Sequence, residues 1–418
     1  MTTASGYPKL SASSRRVDGA PPFVELLDDA RPLLWRRKGA GLVGYGEALR
    51  LTFRGPNRMT DASDAWDEIV SHCEVVDSVN IPGSGLVAFA SFTFADDSPS
   101  ESVVIVPRLI VGRRDDVTWV TTVSVDGDVM PPAVVPEPVA VHNRATARLL
   151  PGLLGEEDYL KAVETAIGEI AGGLVSKVVL ARDLIGTLAP GSDIRSMVTD
   201  LVQAYPDCWT FAIDGFYGAS PETLVSVRQG VLEARVLAGT AARGADPASD
   251  DVAASTLATS SKDIDEHAFA VRSVVDVLEP LTRQLVAADA PYTLRLANLW
   301  HLATDVFGEV APGVSSLSLA AALHPTAAVA GSPTAAAVTL IAALEPFDRG
   351  RYAGAVGWVG ATGEGEWAIA LRCVTVSGDT ATAHAGAGVV IDSDPTKELR
   401  ETQMKFRPIL DALAPLGD

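Results

Sequence analysis

The sequence has few cysteines, few positive charges and no long apolar run. Its 418 residues include only three cysteines, Cys73, Cys208 and Cys373, which lie far apart. This scarcity excludes a disulfide framework or a CxxC metal site and predicts a reducing compartment. No continuous apolar run reaches the roughly 18 residues of a membrane-spanning helix, and the N-terminus lacks the apolar segment of a secretory signal. The sequence therefore predicts a soluble, cytoplasmic protein.

Positive charge is outweighed by negative charge across the chain. The 33 Lys and Arg against 53 Asp and Glu give a net charge of −20. Such a chain repels the phosphates of nucleic acid, so we expect no nucleic-acid partner. An anionic small molecule would need local cations that outweigh this global field. Hydrophobic residues make up 47% and charged residues 21%, a globular composition that can bury a large core.

The order of predicted elements favours an α+β fold. Residues 1–20 are rich in Ser, Gly, Pro and Arg, which predicts a mobile leader. Short β-like runs follow as far as about residue 141, and further strands include WAIALRCVTV and TATAHAGAGVV. Helices are predicted from residue 156, over 251–288, around 333–344 and from 395. Strands and helices do not alternate one for one, so we expect mostly antiparallel sheets flanked by helices.

Two segments carry carboxylates at helical spacing. Glu398, Glu401 and Lys405 lie at i, i+3 and i+7, so a helix would place them on one face. Asp263 and Glu266 have the same spacing in SKDIDEH. Carboxylate oxygens from two helices suit Mg²⁺, which takes one or two carboxylates plus substrate oxygens and water. The alternative for both segments is a solvated helix face, because charged residues are mostly exposed.

Three further charged residues stand in apolar surroundings. Lys177 in SKVVLAR is either an edge lysine whose ammonium reaches water or a partly desolvated general base. Glu222 precedes an alternating strand and is either a solvated turn carboxylate or a general acid in a closed pocket. Arg372, on an otherwise apolar strand face, needs an anionic partner. That partner is either a ligand carboxylate or a structural ion pair.

Uncharged candidates have equally open interpretations. His301 in NLWHLAT is predicted to be buried, where a hydrogen-bonded core histidine is the ordinary outcome. Gly386 and Gly388 in AGAG permit either the close approach of backbone to a ligand or a tight crossing of the sheet.

Taken together, these segments resemble the chorismate-utilising enzymes, which include isochorismate, salicylate, anthranilate and aminodeoxychorismate synthases. The resemblance covers about residues 165–408 through ordered motifs: SKVVLAR, ASPETL, VLAGTAARG, KDIDEH, NLWHLAT, LHPTAAVAGSP, EPFDRGRYAGAVGW, WAIALR, AGAGVV and ELRETQMK. The first 150 residues match more weakly, through FASFTF and VPR. The resemblance implies a single domain over residues 21–418, built from two stacked, mostly antiparallel β-sheets flanked by helices.

The resemblance also implies a role for each candidate residue. Lys177 stands where the water-using synthases keep their general base, and Glu222 matches the general acid. The positions implied to bind substrate are Thr240, His301, Tyr352, Arg372, Gly386, Gly388 and Lys405.

The same resemblance implies a magnesium site. Glu266 and Glu401 match the carboxylates that bind Mg²⁺, with Asp263 and Glu398 behind them as water-mediated partners. This chain departs from the pattern at Asp263, where relatives often have glutamate. The shorter side chain suits a contact through water.

Within the family, the residues favour water as nucleophile and isochorismate as product. Ala238 stands where aminodeoxychorismate synthases keep a lysine, and Lys177 where anthranilate synthases commonly have glutamine. The Ala327–Ala328–Val329 segment is similar to that of isochorismate synthases. The resemblance therefore implies a Mg²⁺-dependent isochorismate synthase, an isomerase that acts on chorismate as a monomer without a glutaminase subunit. Its product would enter menaquinone or siderophore synthesis.

Two alternatives remain open at this point. A salicylate synthase would share the base but go on to eliminate pyruvate from isochorismate. A catalytically weak subunit that mainly binds a partner would belong to another class, although the retained Lys177, Glu222, Glu266 and Glu401 speak against it.

Overall fold

The computed structural model describes residues 6–244, 246–295 and 299–414. Over these residues the strands are β1 (Leu10–Val17), β2 (Leu33–Arg37), β3 (Ala40–Tyr45), β4 (Leu49–Phe53), β5 (Glu74–Asp77), β6 (Val87–Ser91), β7 (Ser102–Val106), β8 (Leu109–Arg114), β9 (Val117–Val125), β10 (Leu150–Pro151), β11 (Lys177–Thr187), β12 (Trp209–Ile213), β13 (Phe216–Ser220), β14 (Thr223–Arg228), β15 (Val231–Ala242), β16 (Thr282–Ala287), β17 (Tyr292–Arg295), β18 (Leu299–Val310), β19 (Gly331–Ser332), β20 (Ala355–Gly360), β21 (Gly365–Ile369), β22 (Cys373–Ser377) and β23 (Thr380–Val389). The helices are α1 (Arg58–His72), α2 (Glu156–Ala171), α3 (Arg195–Ala204), α4 (Pro247–Thr259), α5 (Ser261–Leu278), α6 (Ser316–Leu323), α7 (Thr334–Leu344) and α8 (Pro395–Ala412).

The strands form two sheets. The first has the order β10–β11–β23–β22–β13–β12–β2–β3–β8–β9–β1–β5, with β19 paired to β11. The second has the order β16–β18–β15–β14–β21–β20–β6–β7–β4, with β17 paired to β18. The long ladders β11–β23 and β15–β18 are antiparallel, whereas β1 pairs with β5 in parallel. This architecture confirms the predicted α+β fold of two mostly antiparallel sheets.

The main core lies between the two sheets. One buried cluster joins Trp35 and Phe211 of the first sheet to Trp358 of the second. The carboxylate of Glu366 accepts hydrogen bonds there from the indole of Trp35 (3.0 Å) and of Trp358 (3.1 Å). The buried acid is thus hydrogen-bonded to both layers, as a buried carboxylate must be to avoid a large desolvation penalty.

Helices cover the outer faces of both sheets. A second buried cluster joins Met197 of α3 and Phe406 of α8 to the outer face of the first sheet. Helices α5 and α6 pack on β15 and β14 of the second sheet. In the part of the chain that is described, no helix has both the length and the apolar character needed to cross a bilayer.

The prediction of a mobile leader over residues 1–20 is wrong for Leu10–Val17. These residues form β1, which pairs along its whole length with β9. Leu10, Ala12 and Ser14 are buried at alternate positions, as the two-residue period of a strand requires. The Ser and Arg content of this segment resembles a loop in composition, but its partner strand supplies the apolar contacts.

Two other elements differ from the sequence-based assignment. Helix α1 lies in a region predicted to contain only strands, and its buried Met59, Ala62, Trp66 and Ile69 follow helical spacing. The helical region predicted over 251–288 is α4 and α5 followed by strand β16. The apolar and polar residues of β16 are too few to distinguish a strand from a continued helix by periodicity.

Candidate active site

The site is built around two places where the chain crosses from one sheet to the other. Glu222 lies between β13 and β14, and Arg372 lies between β21 and β22. The crossings run side by side, because the Ile369 amide donates to the Glu222 carbonyl (3.1 Å) and the Ala219 amide to the Arg372 carbonyl (3.1 Å). The Ser220 hydroxyl also donates to the Ile369 carbonyl at 2.5 Å. The prediction of WAIALRCVTV as one strand is therefore wrong, since it spans both sheets.

Arg372 occupies an unfavourable backbone conformation at its crossing. Its φ of 51° lies in the left-handed region, which costs a non-glycine residue on the order of 1–3 kcal/mol. Burial lowers the pKa of its guanidinium, against the opposing effects of Tyr352 and Glu222. Within the described ranges, no hydrogen bond or ion pair joins this guanidinium to another residue. It is therefore a candidate ligand for an anion.

Lys177, Glu222 and Glu266 line a single cavity of about 240 Å³. Its remaining walls are largely apolar and come from β14, β15, α5 and residues 326–328. A cavity with apolar walls and a few convergent charged groups is the usual form of a small-molecule site. The structure thus brings the predicted base, the predicted acid and one predicted metal ligand together, although they lie up to 89 positions apart in sequence.

Lys177 begins β11 at the wall of this cavity. Its Nζ lies 3.9 Å from Glu266 Oε1, and 26% of its side chain is exposed. Gly388 is the neighbour that makes room for it, because a Cβ on Gly388 would lie 3.1 Å from Lys177 Cε. The predicted close approach at Gly388 is therefore to the lysine side chain. The Lys177 amine therefore lies at the cavity wall with part of its surface open to solvent.

Glu222 is partly buried at the same cavity. Burial raises the pKa of its carboxyl above the ordinary glutamate value. Three cations oppose this shift, in decreasing order Lys405, Arg372 and Lys177. A carboxyl whose protonated form is favoured by desolvation is suited to donate a proton.

The C-terminal helix α8 brings a second carboxylate and a second lysine to the site. Lys405 Nζ contacts Glu401 Oε1 at 2.5 Å and donates to the Gly386 carbonyl at 2.8 Å. Burial lowers the pKa of Lys405, although Glu401 opposes that shift. Burial likewise raises the pKa of Glu398, with a further contribution from Glu401. The three residues therefore share one helix face, as their spacing predicts.

Glu266 and Glu401 form a donor set that could hold a divalent cation. They come from α5 and α8, their side chains are 40% and 32% exposed, and each faces a lysine. Among the described residues, no three His, Cys, Asp or Glu side chains form a compact metal-binding cluster. Two accessible carboxylates fit Mg²⁺, because this ion usually takes one or two protein carboxylates and completes its shell with water and substrate.

The remaining candidates surround these charged groups. His301 pairs in register with Thr240, and its Nδ1 lies 3.4 Å from the Gly239 carbonyl at a bulge in β15. Burial lowers the pKa of the His301 imidazole. It is partly rather than fully buried. The side chain of Thr240 lies outside the described residues.

Asp263 and Tyr352 occupy the periphery of the site. Asp263 packs beside Gly239, since a Cβ on that glycine would lie 3.3 Å from the Cβ of Asp263. Tyr352 is buried, and its hydroxyl would lie 3.2 Å from a Cβ on Gly386. Glycine at 386 thus keeps the tyrosine hydroxyl close to the strand that Lys405 contacts.

Sequence reasoning missed one residue of the cavity wall and one buried ion pair elsewhere in the core. The hydroxyl of Thr326 lines the cavity and is buried without a hydrogen-bond partner in the described part of the chain. Since buried hydroxyls normally have a partner, Thr326 is a candidate ligand contact. The second feature is the buried ion pair between Glu345 and Arg349, whose side chains are each 2% exposed. Its signal in the sequence is two opposite charges four residues apart across a proline, which does not reveal burial.

Comparison with known proteins places this geometry in a family. The sequence profile described as chorismate binding enzyme matches residues 25–414. The isochorismate synthase DhbC of Bacillus subtilis is 39% identical over 269 residues, covering 62% of this chain and 68% of that protein. A putative isochorismate synthase MenF of Mycobacterium tuberculosis is 41% identical over 272 residues, covering 61% and 73%.

A solved structure agrees over nearly the whole length. The crystal structure of a putative 2,3-dihydroxybenzoate-specific isochorismate synthase, DhbC from Bacillus anthracis, matches with a TM-score of 0.74 and 30% identity. The match covers 93% of this chain and 98% of that one. Because the profile spans nearly all of the sequence and the fold agrees over the same extent, the chain belongs to the chorismate binding enzyme family.

Proposed function

We propose that this chain is an isochorismate synthase, which converts chorismate to isochorismate. The observation that carries the proposal is the single cavity lined by Lys177, Glu222 and Glu266. The names of the relatives described above confirm the activity predicted from the sequence. The reaction adds the oxygen of water at C2 of the ring, expels the C4 hydroxyl as water and shifts the double bonds between them.

Lys177 is the group that activates water. In its unprotonated form it accepts a proton from water as the oxygen attacks C2. Its place at the cavity wall, beside Gly388, leaves space for a water molecule and a ring in front of it. Aminodeoxychorismate synthases instead use a lysine at the position of Ala238, and an alanine there cannot form a covalent adduct with the ring.

Glu222 is the group that assists departure of the C4 hydroxyl. Its carboxyl donates a proton to the leaving oxygen, for which it must be protonated in the substrate complex. Burial favours that form. A base and an acid that act together each contribute about 10²–10⁴-fold to the rate.

Binding of a dianion by a protein of net charge −20 needs a concentrated patch of cations. Arg372 and Lys405 supply it at the site, where both oppose the raised pKa of Glu222. Arg372 binds a substrate carboxylate through its planar fork of donors. Tyr352, His301, Thr240 and the backbone around Gly386 complete the substrate contacts in this proposal.

Glu266 and Glu401 would hold Mg²⁺, with Asp263 and Glu398 in contact through water. When bound, the ion supplies a Lewis acid that fixes the ring carboxylate and draws electron density from the diene. The protein's own contribution is to hold Glu266 at the cavity wall and Glu401 on α8, where Lys405 balances its charge.

Replacing Glu401 by glutamine is expected to raise the Mg²⁺ concentration for half-maximal activity by about tenfold or more. The amide keeps the shape of the side chain but loses the charge that holds a strongly hydrated cation. Initial rates across a Mg²⁺ titration and calorimetric binding of Mg²⁺ measure the change. Glu164→Gln, at an exposed position of α2, is the matched control and should leave both unchanged. A Glu401→Gln protein that binds and uses Mg²⁺ like the parent contradicts the ligand assignment.

The product profile tests the function itself. Pure chain with chorismate and Mg²⁺ near neutral pH should accumulate isochorismate, with pyruvate at no more than a trace. Chromatography measures isochorismate, and a coupled lactate dehydrogenase assay measures pyruvate. Stoichiometric pyruvate would make the protein a salicylate synthase, and no turnover without an added subunit would support the partner-dependent alternative.

The proposal extends to the setting of the enzyme. It acts in the cytoplasm as a monomer that needs no glutaminase, because water is its nucleophile. Its product serves menaquinone or siderophore synthesis, and the residues of the site would be the same for both.

A further inference from the structure

The loop over residues 324–330 forms one wall of the cavity and is fixed at both ends. At its start, His324 Nε2 lies 3.1 Å from the Phe94 carbonyl. At its end, the Val179 amide donates to the Ala330 carbonyl at 2.9 Å, and the chain continues into β19. Only the middle of the loop, residues 326–328, lines the cavity. The position of this wall therefore depends on its two anchors.

The buried Glu345–Arg349 pair joins the loop to the strand of the base. Arg349 Nη1 donates to the Val329 carbonyl at 3.0 Å, and Nη2 donates to the Val179 carbonyl at 2.7 Å. Arg349 also holds both oxygens of Glu345, at 2.8 Å and 2.5 Å. The Ala181 amide in turn donates to Glu345 Oε1 at 2.7 Å. The ion pair is thus hydrogen-bonded to the main chain of Val179 and Ala181 in β11 and to that of Val329 in the loop.

The pair lies where, among the described residues, no strand neighbours β11 on that side. Strand β19 pairs only with Lys177 and Val178, and β10 pairs only with Leu184 and Ile185. Between these short strands, the side chains of Glu345 and Arg349 bond the main chain of residues 179 and 181. Lys177 is two residues from the first of these contacts, about 6.6 Å along a strand.

We propose that the Glu345–Arg349 pair, through the Val329 carbonyl, positions the cavity wall of residues 326–328 against the strand of Lys177 and thereby prevents bound isochorismate from eliminating pyruvate. This inference rests on the proposed function. In the elimination, the C3–O bond breaks while the C2 hydrogen passes to the methylene carbon of the enolpyruvyl group. Salicylate and pyruvate account for every atom of isochorismate, so no other reactant is needed.

The geometry of the wall decides whether that elimination can occur. The enolpyruvyl group must bend over the ring so that its methylene carbon meets the C2 hydrogen. Residues 326–328 lie on the cavity wall, so their position sets how far the enolpyruvyl group can bend. When Arg349 no longer holds the Val329 carbonyl, the wall can relax outward and admit the bent arrangement.

The test is the ratio of pyruvate to isochorismate made by Arg349→Lys. A lysine ammonium keeps the charge but cannot reproduce the planar fork that bridges Glu345, Val329 and Val179. We expect the ratio to rise about tenfold, which corresponds to about 1.4 kcal/mol of relative barrier. Glu345→Gln, which keeps an acceptor for the Ala181 amide, should raise the ratio in the same direction.

Arg195→Lys is the matched control. Arg195 is also 2% exposed, pairs with Asp193 at 2.5 Å, and donates to the carbonyls of Val139 and Ala140. It belongs to α3, which packs on the outer face of the first sheet, and it does not line the cavity. Both arginine variants should lower Tm, but only the one at position 349 should change the product ratio.

The outcomes separate this inference from the proposed function. A parent that makes stoichiometric pyruvate overturns the proposed function. A parent that makes isochorismate, with unchanged ratios in Arg349→Lys and Glu345→Gln, overturns only the positioning role. If neither variant folds while Arg195→Lys does, the pair is purely structural and the inference is also overturned.

Discussion

Replacing Lys177 by alanine is expected to lower kcat by about 10²–10⁴-fold. The alanine variant lacks the amine that, in the proposed mechanism, accepts a proton from the attacking water. Chorismate should still bind, because the variant keeps Arg372 and Lys405, the residues proposed to bind its carboxylates. Steady-state formation of isochorismate measures the rate, and calorimetric titration with chorismate measures the binding.

The control for this loss is Lys161→Ala. Lys161 is 70% exposed on α2 and contacts only Asp158 in the preceding turn, at 2.9 Å. Surface substitutions of this kind rarely change stability by more than about 0.5 kcal/mol, so kcat and Tm should match the parent. A Lys177→Ala protein with the kcat of the parent would show that another group is the base.

Replacing Glu222 by glutamine is expected to lower kcat by a similar factor of about 10²–10⁴ and to change its pH dependence. In the proposed mechanism, the parent turns over only while Glu222 is protonated. Because burial raises the pKa of this carboxyl, activity should persist above the ordinary pKa of glutamate and fall as the pH rises through the raised value. Glutamine cannot ionise, so the residual activity of the variant should lack this decline. A decline at the same pH in both proteins would assign it to a different group.

Stability distinguishes lost chemistry from lost structure in the same variant. The folded state retains the proton on Glu222 at pH values where the unfolded chain has released it. Relative to its value below the ordinary pKa of glutamate, the free energy of unfolding therefore decreases as the pH rises through the raised pKa of Glu222 in the folded state. A glutamine at this position carries no charge at any pH, so the variant does not become less stable in this pH range. The Tm of Glu222→Gln near neutral pH should therefore equal or exceed that of the parent.

The sequence predicts which residues of helices α5 and α8 and of strand β11 share a face of their element. Glu398, Glu401 and Lys405 share a face because one helix carries them, and Lys177 begins a strand as its apolar neighbours predict. Helical and strand periods are local properties, so a short stretch of sequence is enough to read them. The meeting of these segments at one cavity came from the family resemblance and not from the periods.

The features that sequence could not give depend on distant partners. Arg372 has a positive φ without being glycine, so its local sequence does not indicate that the chain changes sheet there. The strand character of Leu10–Val17 depends on pairing with β9, more than 100 residues away. The Glu345–Arg349 pair contacts β11 across about 170 positions. Each is a tertiary interaction that overrides the local pattern.

The two crossings between the sheets restrict how the length of such a chain can change during evolution. An inserted residue at either crossing would displace Glu222 or Arg372 and break the bonds between the two segments. An insertion at the hairpin turn Gln229–Gly230, or at Gly378, would lengthen only the end of a pair of strands. Insertions and deletions among relatives are therefore expected to collect at these turns, while the spacing within each crossing stays fixed.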